Sequence, residues 1–458
     1  MVVYDRPPEV EAREGGRPLL STQQDGLIAV DEGLLELWRV AAGGSLDHLT
    51  RSQPRHPELN GIVPEALSCL AEAGLLSRTP ASPVPDAASQ PLSAAPTANA
   101  VIIVSVPGEL VWLEACVRAL MSQHHLPGQI LVVDNAVGVD LRQWLTERAL
   151  VATVHTLPRR ITFAAALNAG AAAVARSDYL LFMNADIRPH ASCVRNLLAR
   201  ALETPRCAAV APKLYFWRAP AFLNGLGNRV PGWGFGTDNG IGQLDLGQFD
   251  DWTEVPSGCL GCLLIAREAL LDVGPFDARY VYYEDSDWCF RARLQGYRIA
   301  AAPGAHALHA FGGTWDEGKP ASLSMTKLGN ALFGQLRFAL TIPGPGRAAL
   351  LALHSLNDWG VNIKGAFRTR DTATLGVYAR TAARLAWSLP SALATRRRIQ
   401  RRRVVADAAL FAHADDLTPS MAWRNLPELT CASIREYYAP LMRAGRTRRL
   451  PELSAGIA

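Results

Sequence analysis

From residue 100 onward, short apolar runs alternate with longer segments whose apolar residues recur at helical spacing. The runs Ala100–Val106, Gln129–Asp134, Val151–Thr156 and Asp178–Asn184 predict four strands, and Glu109–Gln123 and Phe163–Arg176 predict helices between them. Unbroken apolar runs mark strands covered on both faces, so the pattern predicts an α/β domain over residues 99–320 with a parallel sheet and helices on each side. Right-handed crossovers then set the strand C-terminal ends, and any ligand, along one edge. A later strand is expected at Tyr297–Ala302.

The pattern changes on both sides of this block. Residues 79–98 are rich in Pro, Ala and Ser, too poor in apolar surface to order themselves, and are expected to be a linker. Ahead of it, the turn signal Asp25-Gly26 precedes a short strand, Leu27–Val30, and Leu34, Leu35, Leu37 and Trp38 recur at helical spacing. Ser45 can cap a second helix and Pro64 can open a third, so residues 1–78 are expected to form a small winged-helix domain. Beyond Gly313, Arg- and Ala-rich helices are expected at Thr326–Leu340, Gly346–Ile363, Leu375–Leu389 and onward, making 321–458 a helical C-terminal region.

The chain has 458 residues, 49% hydrophobic and 19% charged, enough for two or three domains with separate cores. A net charge of +4 on 46 basic and 42 acidic residues lacks the field of a dedicated nucleic-acid binder. The eight cysteines have no disulfide-scaffold spacing, which fits a reducing cytoplasm. Cys259 and Cys262 form a single CxxC without a second pair to complete a zinc site, and are expected to be buried strand cysteines. Met1–Gly16 has no signal-peptide core, and no apolar run reaches the roughly 18 residues that span a bilayer. A cytoplasmic protein is expected. The dense basic run Arg396–Arg403 reads either as a solvated helical face or as a peripheral contact for anionic lipid at the inner face of the membrane or for a phosphorylated acceptor.

Candidate chemistry gathers at strand ends. Asp134 closes the second strand, where a nucleotide base or ribose can meet it. Asp186 follows the fourth, at a strand mouth suited to hold a hard divalent cation, or simply to cap the helix near His190. The densest cluster is Glu284-Asp285-Ser286-Asp287 at a loop-to-helix junction, where a carboxylate can act as general base on a hydroxyl; Asp285 is the expected base, with Glu284 beside it. His309, in a Gly-rich loop after that cluster, is a candidate metal or diphosphate contact, and His306 a weaker one. The Gly- and aromatic-rich segment Tyr215–Trp252 reads equally as a wall for sugar and acceptor, carrying Trp217, Trp233, Phe235 and Trp252, or as a packed insertion.

Taken in order, VVDNA (132–136), ITFAAALNAGAAAV (161–174), YLLFMNADIRP (179–189) and the stretch 255–313 that contains YYEDSDWCFR resemble family 2 glycosyltransferases of the glycosyltransferase-A fold, particularly the rhamnosyl- and galactofuranosyl-type branch. The resemblance implies a mixed sheet flanked by helices and an inverting, metal-dependent transfer of a sugar, rhamnose or a hexose, from a nucleoside diphosphate to an acceptor hydroxyl. It implies Mg²⁺ or Mn²⁺ on Asp186 with help from His309, nucleoside contact at Asp134, catalysis at Asp285, and a place near the nucleotide for Asn168. Asn135, Asp287, Trp288 and Arg291 are expected to bind substrate. Two departures stand out: Asn184-Ala185-Asp186 has one carboxylate where many relatives have two, and Val106-Pro107-Gly108-Glu109 follows the first strand where relatives carry Tyr and Asn.

The N-terminal order DGLIAVD, LLELW, AAGGSLDHL, VPEALSCLAEAGLL resembles PqqD-like domains that hold precursor peptides. The expected acceptor is therefore a glycan, a lipid-linked glycan or a ribosomal peptide, and nucleic acid is not expected as a partner. The competing reading is a degenerate transferase fold serving as a peptide- or membrane-binding scaffold, against which the intact acid cluster argues.

Overall fold

The computed structural model of the chain describes residues 96–310, without 218, 231–235, 242–244 and 246–248, and residues 325–412 and 428–429; nearer the N-terminus it describes 3–6, 10–13, 19–21, 27–41, 44–45, 62–72 and 75–78. The expectations for most of the linker, for a helix running on from Ser45, for Trp233 and Phe235 and for Phe311–Gly313 lie outside the described residues.

The central domain is one mixed sheet. Its strands are β1 (Ala98–Val104), β2 (Ile130–Asp134), β3 (Thr153–Thr156), β4 (Tyr179–Asn184), β5 (Ile187–Pro189), β6 (Cys207–Phe216), β7 (Ala219–Leu226), β8 (Asn228–Arg229), β9 (Thr237–Asp238), β10 (Cys262–Ala266) and β11 (Arg298–His309). The large sheet runs β5-β11-β6-β10-β4-β1-β2-β3, with β7 hydrogen-bonded to β6 and with β8 and β9 pairing separately. Its helices are α1 (Leu110–Met121), α2 (Leu141–Glu147), α3 (Phe163–Ala173), α4 (Cys193–Glu203), α5 (Arg267–Val273) and α6 (Glu284–Leu294).

The four expected strands form the parallel half, β4-β1-β2-β3, and every residue of β1 and β2 is buried. Alternate side chains feed two cores. Val101, Ile103 and Val133 pack on one face with Leu167 of α3, and Ala100, Ile102 and Val132 pack on the other with Leu113 and Val117 of α1. Helix α3 begins where Thr162 accepts from Ala165 N–H at 3.3 Å. Gly170 lets this helix lie close on the sheet: a Cβ there would sit 2.5 Å from Val101 Cγ1 and 2.9 Å from Val133 Cγ2.

The sheet departs from an all-parallel reading in its other half. β10 runs antiparallel between β4 and β6. β6 itself escapes the sequence pattern because Pro212 and Lys213 interrupt its apolar run, yet it is buried along most of its length. β11 extends well past the expected Tyr297–Ala302, absorbing Pro303-Gly304 through a register shift opposite Pro212/Lys213.

Three long helices follow: α7 (Met325–Thr341), α8 (Pro345–Thr369) and α9 (Thr372–Arg401). α9 continues through Pro390, where the pattern expected an end, and beyond it buries Ala392, Thr395 and Ile399. Ile399 joins Phe290, Phe338 and Ile342 in one cluster, a burial that offsets the lost hydrogen bond. The basic run is divided by this packing. Arg396 donates to the carbonyls of Leu340 at 3.0 Å and Pro343 at 2.8 Å, Gln400 to that of Ile342 at 2.8 Å, and Arg402 and Arg403 pair with Asp272 and Asp407. Arg397, Arg398 and Arg401 stay exposed. Among the described residues, no helix is long and apolar enough to cross a membrane.

The described N-terminal residues include strands Leu19–Ser21 and Leu27–Val30 and helices Glu32–Val40 and Val63–Glu72. Asp31 caps the first helix by accepting from Leu34 N–H at 2.9 Å, and Trp38 Nε1 donates to Leu75 O at 2.7 Å. Ser45 pairs with Val3 in a strand. Glu428–Leu429, from the far end of the chain, adds a parallel strand beside Leu27–Val30.

The helical region is pinned to the central domain by Arg337 of α7, fully buried, whose Nη2 lies 2.7 Å from Asp277 Oδ2 and whose guanidinium stands 5.7 Å from the Tyr280 ring centre. Burial pushes the Asp277 carboxyl up, but the charge and hydrogen bonds of Arg337 outweigh it and hold the group below the usual range. Arg337→Met should leave the partly buried Asp277 with only the exposed Arg279 as a charged partner and cost up to about 3 kcal/mol in chemical denaturation, much of it recovered in Arg337→Met/Asp277→Leu.

Candidate functional site

Asp186 lies in the turn between β4 and β5. β5 pairs antiparallel with the end of β11, Ile187 opposite His309, and this register carries a histidine from far along the chain to within 3.5 Å of the carboxylate, Nε2 to Oδ1. On its other side His309 Nδ1 meets Asn224 Oδ1 of β7 at 2.6 Å. An amide oxygen only accepts, so Nδ1 carries a proton and Nε2 is the ring nitrogen that faces Asp186. Burial raises the Asp186 carboxyl, but the charge and hydrogen bond of His309 more than offset this and its pKa falls below the ordinary value. Glu109, just after β1, accepts from Ser105 N–H at 2.6 Å and Val106 N–H at 3.3 Å. Its pKa is raised, chiefly by burial and in lesser part by the charge of Asp186.

The acid cluster opens α6 from a strained entry. Tyr283 has φ of 76°, the left-handed region that costs a non-glycine residue about 1 kcal/mol or more. It is held there by Gly236 N–H, which donates to its hydroxyl at 2.8 Å, and by α7, where a Cβ on Gly334 would lie 2.6 Å from Tyr282 O. Asp285 accepts from Asn228 Nδ2 at 2.9 Å, from Ser286 N–H at 2.6 Å and from Leu260 N–H. Burial raises its pKa against these bonds. Glu284 has a buried oxygen, Oε2, without a partner, and burial together with the charges of Asp285 and Asp287 pushes it up to about 8.

The remaining residues of the cluster turn inward. Asp287 accepts from Arg291 Nε at 2.8 Å, and that guanidinium donates onward to Val273 O at 3.0 Å and Pro275 O at 2.8 Å. Trp288 Nε1 donates to Gly274 O at 3.0 Å. All three, expected at the substrate, brace the turn at 273–275. Asn168 departs from its expected role in the same way, with both amide atoms on the Phe276 backbone, Nδ2 to O at 2.9 Å and Oδ1 from N–H at 3.0 Å.

One turn joins the two acidic ends. Leu260 N–H reaches Asp285, while a Cβ on the next residue, Gly261, would lie 3.6 Å from His309 Cε1 and 3.7 Å from Asn184 Nδ2. Asp238 of β9 stands between them. It pairs in register with Asn228, the residue that donates to Asp285. Burial and the charge of Asp285 push its carboxyl up to about 7, and His309 pulls the other way. The cluster therefore runs from Asp186 through His309 and Asp238 to Asp285 and Glu284. Cys259, expected inside a strand, lies in this turn, its thiol raised by burial and by the charges of Asp238 and Asp285. Cys262 is buried in β10 as expected.

Asp134 ends β2 at the same edge of the sheet and accepts from Val137 N–H at 2.9 Å. Asn135 is a strut: it donates to Ser105 Oγ at 3.2 Å and Ile161 O at 3.0 Å and accepts from Ile161 N–H at 2.9 Å. His306 lies apart from the cluster, its ring 5.7 Å from that of Tyr215, with burial and the nearby Lys213 charge lowering it to about 4. In the aromatic segment, Trp217 meets Trp112 edge-on at 5.0 Å, whereas Trp252 packs on Phe249 at 4.9 Å against the core. The segment is thus partly core. Its polar residues Asn224, Asn228 and Asp238, with Glu109, are the site residues that sequence reasoning missed. Asparagines on short strands carry no periodic signal, and only their position in that Gly-rich segment pointed to them.

The donor set at the rim suits a hard divalent cation. Asp186 Oδ1 and His309 Nε2 converge at 3.5 Å and would hold it; among the described residues no group of three His, Cys, Asp or Glu could hold a metal.

Residues 101–274 match the family model described as Glycosyl transferase family 2. No curated protein matches the chain. Solved structures similar to it include the mannosyltransferase PcManGT from Pyrobaculum calidifontis in complex with GDP-Man and Mn²⁺, at 19% identity over 73% of this chain and 92% of that one with a TM-score of 0.40. S. aureus TarS 1–349 is 14% identical over 68% of this chain and 91% of that one, with a TM-score of 0.40. GalNAc-T7 with UDP, GalNAc and Mn²⁺ is 13% identical over 52% of this chain, with a TM-score of 0.40. The chain spans 48% of the GalNAc-T7 chain and 42% of a longer TarS chain.

The raised pKa of Glu284 makes a stability prediction. A carboxyl whose folded pKa exceeds its unfolded value takes up a proton on folding, so its cost grows as pH rises between the two values and vanishes below the unfolded one. Glu284→Gln should therefore raise the thermal midpoint near pH 8, with the gain shrinking as pH is lowered toward about 5, as read by calorimetry at both.

Proposed function

We propose that the chain, whose residues 101–274 match the family model described as Glycosyl transferase family 2, is a glycosyltransferase that moves a sugar, rhamnose or a hexose, from a nucleoside diphosphate onto an acceptor hydroxyl with inversion at the anomeric carbon. The observation that carries this reading is the meeting of two acidic ends around the Cys259–Gly261 turn, Asp186 with His309 on one side and Asp285 with Glu284 on the other.

Asp285 is the base. Its carboxylate accepts three hydrogen bonds, which favour the ionised form, whereas Glu284, with an unpartnered oxygen and a pKa of about 8, is neutral near pH 7. One negative charge is then left to take the proton. The acceptor O–H gives its proton to Asp285 as its oxygen bonds to the anomeric carbon, and the nucleoside diphosphate departs with the electron pair of the broken bond. Asp134 meets the nucleoside at the end of β2. A divalent cation bound by Asp186 and His309 would supply positive charge opposite the diphosphate oxygens. Asn224 holds His309 in the tautomer that this binding needs.

The acceptor is a glycan or lipid-linked glycan, or a ribosomal peptide held by residues 1–78. Helix Glu32–Val40 and the strands beside it support the peptide reading, and the pairing of Glu428–Leu429 with Leu27–Val30 ties that block to the far end of the chain.

Asp285→Asn should lower kcat by about 10²–10⁴-fold with nucleotide affinity retained, read by released nucleotide and by calorimetry. In the wild type, activity should fall as pH drops through an apparent pKa above that of an ordinary aspartate, since Asp285 must be ionised and burial raises it. Full turnover by the variant would reject the assignment. Deleting residues 1–90 should raise KM for a peptide acceptor and spare slow donor hydrolysis; unchanged acceptor kinetics would exclude the peptide reading.

A further inference from the structure

The helical hairpin α8–α9 has an outward side that nothing in the described fold covers. α8 packs inward through Leu351, Ser355, Trp359 and Ala366, with Trp359 and Tyr378 of α9 in edge contact at 5.1 Å. At 3.6 residues per turn the opposite side carries Leu353, Leu356, Val361 and Phe367, each more than half exposed. On α9, Trp387 is 90% exposed. The turn at Arg370 leaves Trp387 and Leu353 at about the same distance along their helices. Exposed leucines are ordinary singly; four apolar residues exposed on one half of a helix, with a fully presented tryptophan on its neighbour, are not.

Charge decides what this surface fits. α9 holds six arginines and no acidic residue. Arg396 caps the end of α7, and Arg384 donates to Asn330 Oδ1 at 2.8 Å and lies over Phe333. Arg397, Arg398 and Arg401 remain exposed, on the same side of α9 as Trp387. On α8, Lys364 and Arg368 lie within the apolar row, with stems long enough to lay along apolar surface while the charge stays wet. We propose that the outward side of α8–α9 docks in plane on an anionic lipid surface, with Trp387 and the α8 row at the acyl boundary and Arg397, Arg398 and Arg401 at the head groups.

Other occupants fit less well. A second copy of the chain would set the α9 arginines against one another across a two-fold axis. A nucleic acid would leave the α8 row without an apolar partner. The surface lies on a different element from the acid cluster, so this inference stands or falls apart from the proposed chemistry.

The experiment is flotation of the full-length protein with phosphatidylcholine vesicles and with vesicles containing about 30% phosphatidylglycerol, at low and high salt. Binding to the anionic vesicles alone, weakened by salt, is expected. Arg397→Ser/Arg398→Ser/Arg401→Ser should weaken it about a hundredfold, about fivefold for each charge removed. Trp387→Ser/Leu353→Ser should weaken it too, with circular dichroism and nucleotide release in vesicle-free solution unchanged. Brominated lipid should quench less fluorescence in Trp387→Phe than in the wild type. Equal binding to neutral vesicles, undiminished binding by the arginine variant, or a dimer that Trp387→Ser dissociates without any vesicle binding would each overturn the proposal.

Discussion

The buried pair between Asp277 and Arg337 is the joint on which the site depends. It fixes α7 against the loop ahead of α6, and α7 in turn presses Gly334 against Tyr282 and Phe338 against Tyr283. Tyr283 is thereby kept in a left-handed conformation that the isolated loop would leave. That conformation starts α6 where it starts, and so determines which acids of the cluster face the rim. Remote helices thus set the geometry of the acid cluster through backbone strain, a cost that only a well-packed neighbour can sustain.

Electrostatics then separates groups of like chemistry. Asp186 is held ionised by the histidine beside it, and Glu284 is kept protonated by burial beside two other acids. Asp285 lies between these extremes, raised by burial and steadied by three donors. Crowded carboxyls with unlike environments can divide the work of holding positive charge and accepting a proton. The lone carboxylate of Asn184-Ala185-Asp186 is set in a richer surrounding than its motif suggests, with His309 and Glu109 near it from unrelated parts of the chain and Asp238 near that histidine.

Much of this was legible in the sequence, and the reasons are local. The unbroken apolar runs announced the parallel strands, and the acids just past them, Asp134 and Asp186, were set at the rim by strand polarity alone. The cluster at 284–287 announced itself by density. The same local logic expected Asp287, Trp288, Arg291 and Asn168 at the substrate, whereas the fold sets Trp288, Arg291 and Asn168 on the 273–276 backbone and Asp287 on Arg291, since residue type and spacing do not tell whether a side chain faces a ligand or a neighbouring turn.

By itself, then, the sequence determined the layered α/β architecture and the edge that carries the acids, because strand and helix periodicity act over a few residues. The tertiary structure alone decided that His309 and not His306 meets Asp186, since that follows from the pairing of β5 with β11 and from a register shift within β11. It alone brought Asn224, Asn228 and Asp238 into the cluster and divided the arginines of α9 between capping and exposure. Those outcomes arise from contacts between residues far apart in the chain, and from the burial those contacts create.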